Sequence, residues 1–404
     1  MSARSRNADD KRGIREPLLQ VPGFRWSATS AGIKDDTLDF GVLAADRPCA
    51  AAGVFTRNNF PAAPVLVGRE HLRHGRLQAV VVNSKNANAA TGESGAEDAR
   101  RTCQLLGDSL EIAPELVLPS STGVIGVPLP MERIEAACRQ AKARLASGPE
   151  AIADFARAIM TTDTRPKAVS VKTGKAILTG VAKGAGMIEP QMATMLAFFA
   201  TDAGITATHL QRLLGDAVNS TFNRISVDTD TSTNDTVVIL AGGGAGEVDE
   251  REFAAALHEA CLYLAKEIVR DGEGATKLIE LTVSEAASEE SALAIARAVI
   301  NSPLVKTAIY GADPNWGRFV MAIGKVFAHP VPLAPLRILF GYEEPPLVIS
   351  ADGAAPDILQ RITEYLRGDE LRIEIRLGQG SHQETMWGCD LTEGYVRINA
   401  EYTT

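Results

Sequence analysis

Two spacings of hydrophobic residues occur along this chain. Short apolar runs at residues 77–83 and 236–241 have the length and composition of buried strands. Longer stretches at residues 131–146 and 250–270 repeat apolar residues at helical spacing, with polar residues between them. Because strand-like and helix-like segments alternate, the sequence predicts one mixed α/β assembly.

Shorter signals predict where some elements begin and end. Thr208 and Gln211 have the spacing of a capping box that opens a helix. The glycine-rich residues 242–246 predict a turn. Residues 395–404 alternate apolar with polar side chains, which predicts a strand-like tail. No internal repeat or low-complexity linker indicates a domain boundary.

The composition is that of a large chain with a sizeable core. Of the 404 residues 45% are hydrophobic, and the net charge of -9 argues against nucleic acid or an anionic membrane as partner. Residues 1–16 lack the apolar core of a signal peptide, and the apolar run at residues 192–200 is too short to span a bilayer. We therefore expect a cytoplasmic protein. The cysteines are odd in number and form no Cys-x-x-Cys pair, which fits a reducing compartment and neither a disulfide framework nor a zinc site: Cys49, Cys103, Cys138, Cys261 and Cys389.

The strongest candidate chemistry lies in residues 183–202, where Thr194 stands between a glycine-rich approach and an apolar run. Cleavage between Ala193 and Thr194 would free an α-amine with a pKa of about 7.7–8.0, which can take the proton of the threonine hydroxyl. Gly184 and Gly186 allow the backbone to bend for such a cut. The residues alone leave a second interpretation open, a strand threonine with a satisfied hydroxyl.

A second candidate site follows the apolar residues 116–119, where a strand is expected to end. Thr122 and Gly123 place a hydroxyl beside a glycine whose N–H can approach a ligand closely. Such a pair can supply two hydrogen-bond donors to a ligand. An ordinary Ser/Thr-Gly turn is the alternative.

Other chemical motifs are incomplete. Residues 228–234 begin like a calcium loop, but Thr233 stands at the glycine position and Ile239 at the position of the bidentate glutamate. The six histidines form no His-Glu-x-x-His, and neither glycine-rich run completes a dinucleotide fingerprint. We therefore predict no metal and no nucleotide cofactor.

The sequence resembles the ornithine acetyltransferase family, also called ArgJ or glutamate N-acetyltransferase. The resemblance begins with the Lys183–Leu196 segment around Thr194 and covers nearly the whole chain. Its other motifs lie at residues 48–57, 81–88, 120–126, 160–164, 222–228, 271–277, 301–306, 313–318 and 387–392, and in the tail to residue 404.

The resemblance implies a self-processing ArgJ/DmpA-like α/β fold, with β-layers packed between helices. Self-cleavage would give an alpha chain of residues 1–193 and a beta chain of residues 194–404, whose strands interleave. The two fragments are expected to assemble as a heterotetramer of two alpha and two beta chains.

The resemblance also assigns the site residues. Thr194 is the expected nucleophile, Thr122 and Gly123 the oxyanion hole, and the Ala193–Thr194 bond the cleavage site. The residues expected to bind substrate are Thr161, Lys183, Thr194, Glu273, Asn399 and Thr404. Without the resemblance, Lys183 and Glu273 would be interpreted as solvated surface charges. Asn399 and Thr404 would be interpreted as part of a frayed terminus.

The implied reaction moves acetyl from N2-acetylornithine to glutamate in arginine biosynthesis, through an acetyl-Thr194 ester, by a ping-pong route. No cofactor is implied, and the use of acetyl-CoA as a further donor stays open. Lys85, Ala90 and Thr229 depart from the residues usual in the family, which bears on substrate preference. The alternatives are a self-processing aminopeptidase or amidase, in which water resolves the acyl-enzyme, and an uncleaved binding protein.

Overall fold

The structure, a computed structural model, describes residues 13–35, 37–189, 195–341 and 346–401. The chain divides into two compact units made of discontinuous segments. The first lies within Met1–Gly184, Gln191–Asn223 and Thr231–Ile268, and the second within Ala185–Pro190, Arg224–Asp230 and Val269–Thr404. Each unit has its own β-sheet.

The elements alternate along the chain as an α/β protein requires. The strands are β1 (Ile14–Arg15), β2 (Phe24–Thr29), β3 (Phe40–Phe55), β4 (Arg76–Asn83), β5 (Val117–Ser121), β6 (Lys167–Thr173), β7 (Ala176–Lys183), β8 (Leu196–Gly204), β9 (Ile225–Ser226), β10 (Thr236–Glu247), β11 (Leu278–Ala286), β12 (Arg337–Phe340), β13 (Leu347–Ser350), β14 (Glu370–Arg376) and β15 (His382–Cys389). The helices are α1 (Ala63–His71), α2 (Gly92–Leu110), α3 (Met131–Arg144), α4 (Pro149–Ala158), α5 (Ala207–Ser220), α6 (Glu250–Arg270), α7 (Glu289–Ile300), α8 (Pro303–Tyr310), α9 (Trp316–Gly324), α10 (Pro356–Tyr365) and α11 (Glu393–Glu401). Short 3-10 turns occur at Leu72–His74, Pro114–Leu116 and Phe222–Arg224.

In the first unit the described strands form a sheet in the order β1-β6-β7-β8-β10-β3-β4-β5, with β2 paired to β3. Alternate residues of β3 point to opposite faces of this sheet. Leu43 packs in the cluster that holds Phe155 of α4, whereas Val42 packs in the cluster that holds Cys103 of α2 and Ile134 of α3. Helices therefore cover both faces, and the predicted β-layer between helices is confirmed.

The central strands of this sheet come from both sides of residue 194. β8 and β10 follow that residue in sequence, yet they lie between β7 and β3, which precede it. β7 pairs antiparallel with β8, and β10 pairs antiparallel with β3. The two segments that cleavage would create thus interleave in one sheet.

In the second unit the sheet has the order β13-β12-β14-β11-β15-β9. Its core is formed by strand side chains such as Leu281 and Phe340 together with Ile295 of α7 and Phe319 of α9. The rings of Phe319 and Phe340 lie 6.0 Å apart in an edge-to-face arrangement. This unit is thus stabilised by its own hydrophobic core.

The predicted strands at 77–83 and 236–241 are confirmed as β4 and β10, and the predicted helices as α3 and α6. The capping box is wrong. Thr206 caps α5 by accepting a hydrogen bond from the backbone N–H of His209 at 3.4 Å. The Gln211 side chain instead makes two hydrogen bonds of 3.1 Å with the backbone of Gly53.

Two further local predictions fail. Residues 242–246 lie inside β10, because Gly246 and Glu247 pair with β8 across a shift of register. The described part of the tail is not a strand, since residues 395–401 lie in α11; residues 402–404 lie outside the described residues. Among the described residues no single helix is long and apolar enough to cross a membrane, while α7 and α8 pass that test of length and composition only as a pair bent by 58°.

Candidate active site

The Thr122–Gly123 turn follows β5 directly. The Thr122 N–H donates to the Asn83 carbonyl at 3.1 Å, which attaches the turn to the end of β4. Gly123 has φ +133°, and a Cβ at this position would lie 2.1 Å from the carbonyl carbon of Lys85. Only glycine fits so close to a neighbouring backbone.

Lys183 is the last residue of β7, and its side chain is 2% exposed. Its Nζ donates to the Thr122 hydroxyl oxygen at 3.3 Å. In the sheet Lys183 pairs with Leu196, the first residue of β8. Thr194 precedes Leu196 by two residues, and both Ala193 and Thr194 lie outside the described residues. The strand that follows the predicted nucleophile thus begins beside Lys183.

Asp163 organises the surroundings of Lys183. Its carboxylate accepts hydrogen bonds from the Thr161 N–H at 2.9 Å, the Gly184 N–H at 2.6 Å and the Lys167 Nζ at 2.8 Å. Burial raises the pKa of this carboxyl, but the charges of Lys167 and Lys183 outweigh it and hold the pKa below its usual value. Asp163 is therefore ionised at neutral pH, and it links Thr161 to the segment that begins at Gly184.

The second unit holds another pair of predicted residues. The Asn399 side chain donates from Nδ2 to Glu273 Oε2 at 2.7 Å. The Glu273 N–H donates to the Ala185 carbonyl at 2.8 Å, and a Cβ on Gly186 would lie 2.4 Å from the Glu273 carboxyl carbon. Glu273 and Asn399 therefore lie together, next to a glycine that leaves room for the carboxylate. Thr404 lies outside the described residues.

Several buried or half-buried polar residues at the site have no counterpart among the sequence predictions. Asp163 lies in the motif of residues 160–164, which contains the predicted residue Thr161. The motif was therefore a sequence signal that could have identified Asp163. Lys34 donates from Nζ to the carbonyls of Met160 and Leu38, and burial lowers its pKa to about 8. No sequence signal indicated Lys34. Among the described residues, no group of three or more His, Cys, Asp or Glu could hold a metal ion.

Asp235 also belongs to the residues that the sequence analysis missed. Its carboxyl is fully buried, and Oδ1 accepts a hydrogen bond from the N–H of Met195 at 3.1 Å. Met195 directly follows Thr194. Asp235 therefore holds the backbone at the point where the predicted nucleophile joins β8.

Comparison with known proteins identifies related sequences. The sequence model of the ArgJ family matches residues 25–404. The arginine biosynthesis bifunctional protein ArgJ 2 of Nostoc sp. is 46% identical over 385 residues, which cover 95% of this chain and 97% of that protein. The glutamate N-acetyltransferase Oat2 of Streptomyces clavuligerus is 46% identical over 386 residues, with coverage of 95% and 98%.

Two solved structures are also similar. An arginine biosynthesis bifunctional protein ArgJ from Bacillus halodurans is 45% identical, with a TM-score of 0.47, over 51% of this chain and 98% of that one. An ornithine acetyltransferase from Mycobacterium tuberculosis, solved with ornithine, is 39% identical, with a TM-score of 0.40, over 42% of this chain and 93% of that one. Because the family match spans residues 25–404 and the relatives align along almost their entire length, this chain belongs to the ArgJ family.

Proposed function

We propose that this protein transfers the acetyl group of N2-acetylornithine to glutamate, giving N-acetylglutamate and ornithine. As a member of the ArgJ family it is an acyltransferase of arginine biosynthesis. The contact between Lys183 and Thr122 carries the proposal. Lys183 is a buried cation that pairs in the sheet with Leu196, two residues after Thr194. Its Nζ donates to the Thr122 hydroxyl.

The first half of the reaction acetylates Thr194. Its hydroxyl oxygen attacks the acetyl carbonyl of N2-acetylornithine while its own α-amine takes the hydroxyl proton. The negative charge on the tetrahedral intermediate accepts hydrogen bonds from the Gly123 N–H and the Thr122 hydroxyl. Because the Thr122 oxygen already accepts from Lys183, its hydrogen is free to point to the substrate. The C–N bond then breaks, ornithine leaves with the proton, and acetyl-Thr194 remains.

The second half reverses these steps with a different amine. The α-amine of glutamate attacks the acetyl ester, the same turn stabilises the charge, and the Thr194 oxygen leaves and recovers a proton. The buried positive charge of Lys183, which contacts the Thr122 hydroxyl, favours both intermediates, and it can also pair with a substrate carboxylate. Thr161, Glu273, Asn399 and Thr404 are the other residues that we propose to bind substrate, with Glu273 accepting from an amino group of ornithine.

The same proposal covers processing and assembly. Cleavage of the Ala193–Thr194 bond gives the alpha chain, residues 1–193, and the beta chain, residues 194–404, and two of each form a heterotetramer in the cytoplasm. No resident cofactor is needed, because both transfers pass through the Thr194 ester. The relative from Nostoc is named bifunctional, which supports acetyl-CoA as a second acetyl donor here.

Intact-mass measurement of the freshly purified protein, followed by assays of the same sample, tests the proposal. We expect two fragments that meet between Ala193 and Thr194, and acetylglutamate formation only when both acetylornithine and glutamate are present. Thr194→Ala should give one inactive full-length chain. Thr201→Ala, which removes a buried hydroxyl from β8, is the matched control and should still be cleaved.

Each other outcome contradicts a particular part of the proposal. Cleavage of Thr194→Ala excludes Thr194 as the nucleophile. Free acetate that appears at the same rate with and without glutamate identifies a hydrolase. Acetylglutamate formation from acetyl-CoA, measured in a separate reaction, decides whether there is a second donor.

A further inference from the structure

Asp228 ends a motif, residues 222–228, to which the proposed function assigns no role. Its carboxylate accepts hydrogen bonds from two consecutive backbone groups, the Met187 N–H at 2.6 Å and the Ile188 N–H at 2.7 Å. The backbone adds another bond, because the Val227 N–H donates to the Ile188 carbonyl at 2.8 Å. Asp228 therefore holds residues 187 and 188 beside the loop that follows β9.

Met187 depends on this support for its backbone conformation. Its φ is +58°, in the left-handed region that non-glycine residues adopt rarely. Its side chain is 39% exposed, so side-chain packing does little to hold this conformation. The two hydrogen bonds to Asp228 thus fix the backbone on the C-terminal side of Gly186.

The backbone around Gly186 borders Glu273. The Glu273 N–H donates to the Ala185 carbonyl at 2.8 Å, and a Cβ on Gly186 would lie 2.4 Å from the Glu273 carboxyl carbon. So little space is left that a shift of this backbone would move the carboxylate. Asn399 contacts the same carboxylate, since its Nδ2 donates to Glu273 Oε2 at 2.7 Å and to the Tyr395 carbonyl at 3.1 Å.

Tyr395 connects this group of residues back to Asp228. Burial, followed by the charges of Asp228 and Glu273, raises the pKa of Tyr395. Its phenol therefore lies near both carboxylates and is protonated at neutral pH. Three segments of the second unit that are distant in sequence thus form one polar network around the Glu273 carboxylate.

We propose, on the basis of the proposed function, that Asp228 is a positioning residue for the donor substrate. By holding residues 187 and 188 it places Glu273 to accept a hydrogen bond from the δ-amino group of N2-acetylornithine. The α-nitrogen of this substrate carries the acetyl group, so the δ-amine is the amine that bears a charge. Glutamate has a carboxylate in its side chain, which Glu273 does not attract. Asp228 therefore acts on binding of the donor and not of the acceptor.

Asp228→Asn tests this role, because an amide has one acceptor oxygen where the carboxylate has two. We expect KM for acetylornithine to rise about fivefold or more with kcat within about twofold, since a contact with the remote amine is equal in the ground and transition states. KM for glutamate should stay within about twofold. Asp249→Ala is the matched control. Asp249 also accepts from two backbone N–H groups, those of Arg251 and Glu252 at 2.9 Å each, and its loss should lower Tm without changing either KM.

A double-mutant cycle separates positioning from general stability. In a Glu273→Gln background, Asp228→Asn should raise KM for acetylornithine by less than about twofold, because the charge that Asp228 positions is already gone. Equal increases in the two backgrounds would overturn the inference, and so would an equal rise in KM for both substrates or an unchanged KM for acetylornithine. Asp228→Ser, which keeps one acceptor oxygen, provides the same test if Asp228→Asn does not fold. A failure of the unmodified protein to transfer acetyl would instead contradict the proposed function.

Discussion

Thr122 has a buried hydroxyl whose oxygen accepts from Lys183, which leaves its hydrogen for a substrate oxygen. We expect Thr122→Ala to lower kcat by about 10²- to 10³-fold, which corresponds to roughly 3–4 kcal/mol of transition-state stabilisation. Steady-state kinetics measure the loss. Thr102→Ala, which removes a buried hydroxyl that donates to the Asp98 carbonyl of its own helix, should retain normal turnover. Normal turnover with a lower Tm in Thr122→Ala would make Thr122 a structural residue.

Lys85 adopts a left-handed backbone, with φ +76°, in the loop next to Gly123. Such a backbone costs a non-glycine residue about 1–2 kcal/mol, which a glycine at this position would not pay. Glycine also has more freedom in the unfolded chain, and this lowers the stability of the glycine variant by about 0.5–1 kcal/mol. The exposed ion pair with Asp35, 3.8 Å apart, contributes little. Lys85→Gly should therefore raise the free energy of unfolding by roughly 0.5–1 kcal/mol.

Urea denaturation measures this difference, with Lys85→Ala as the control. The alanine variant loses the ion pair but keeps the left-handed backbone, so it should gain no stability. Equal stabilities of the glycine and alanine variants would show that the loop stores no strain at Lys85.

The sequence motifs contain several of the residues that contact one another in the structure. Lys183 contacts the Thr122 hydroxyl and Asn399 contacts Glu273, so the structure brings these two pairs of predicted residues together. Buried partners were harder to find, because charge and polarity in a sequence do not reveal which acid is enclosed with which lysine. Lys34 illustrates this, since only the fold brings it to the carbonyl of Met160. No described contact tests the catalytic or substrate-binding role of any of these residues, and Thr194 and Thr404 lie outside the described part of the chain.

At the scale of elements, the segment Ala185–Pro190, which contains Gly186, lies close to Glu273 within the second unit. A methyl group on Gly186 would displace the Glu273 carboxylate from Asn399. We expect Gly186→Ala to raise KM for acetylornithine about tenfold, equivalent to about 1.4 kcal/mol, because a charge-assisted hydrogen bond to substrate is lost. Kinetics at varied acetylornithine concentration provide the measurement. Gly215→Ala in α5, where a methyl group meets nothing within 4 Å, is the control, and an unchanged KM in Gly186→Ala would remove Glu273 from the substrate site.

Elements were predictable where burial dictates the pattern. In β8 each residue except Gly204 is buried, and its continuous apolar run is typical of a central strand. The strand prediction for the tail is wrong because the apolar positions there do not form a buried face, and Val396 is 66% exposed. The glycines of β10 gave a turn signal that pairing with β8 overrides.

At the scale of the whole molecule, cleavage before Thr194 should not separate the fragments. β8 and β10 are hydrogen-bonded to β7 and β3 on the other fragment, and separation would expose unpaired edges at the centre of the sheet. We expect one peak containing both fragments in native size-exclusion chromatography and two bands from that peak on a denaturing gel. Fragments that elute separately under native conditions would contradict the interleaved arrangement.

The two units could not be predicted from sequence, because neither is a continuous stretch of chain. The second takes in the short segments Ala185–Pro190 and Arg224–Asp230 as well as the C-terminal part. Such segments have no linker composition, and their assignment depends on contacts between residues distant in sequence. The mixed α/β class was predictable because the alternation of strand-like and helix-like runs is local.

The strand order also decides when the sheet can be completed during synthesis. A ribosome makes β3, β4, β5, β6 and β7 first, whereas β8 and β10, which fill the gap between β7 and β3, emerge later. Until residue 247 has left the exit tunnel, the edges of β7 and β3 that face the middle of the sheet cannot pair with β8 and β10. The nascent chain is most prone to aggregate in that interval, and a stop codon placed before β8 would leave it there permanently.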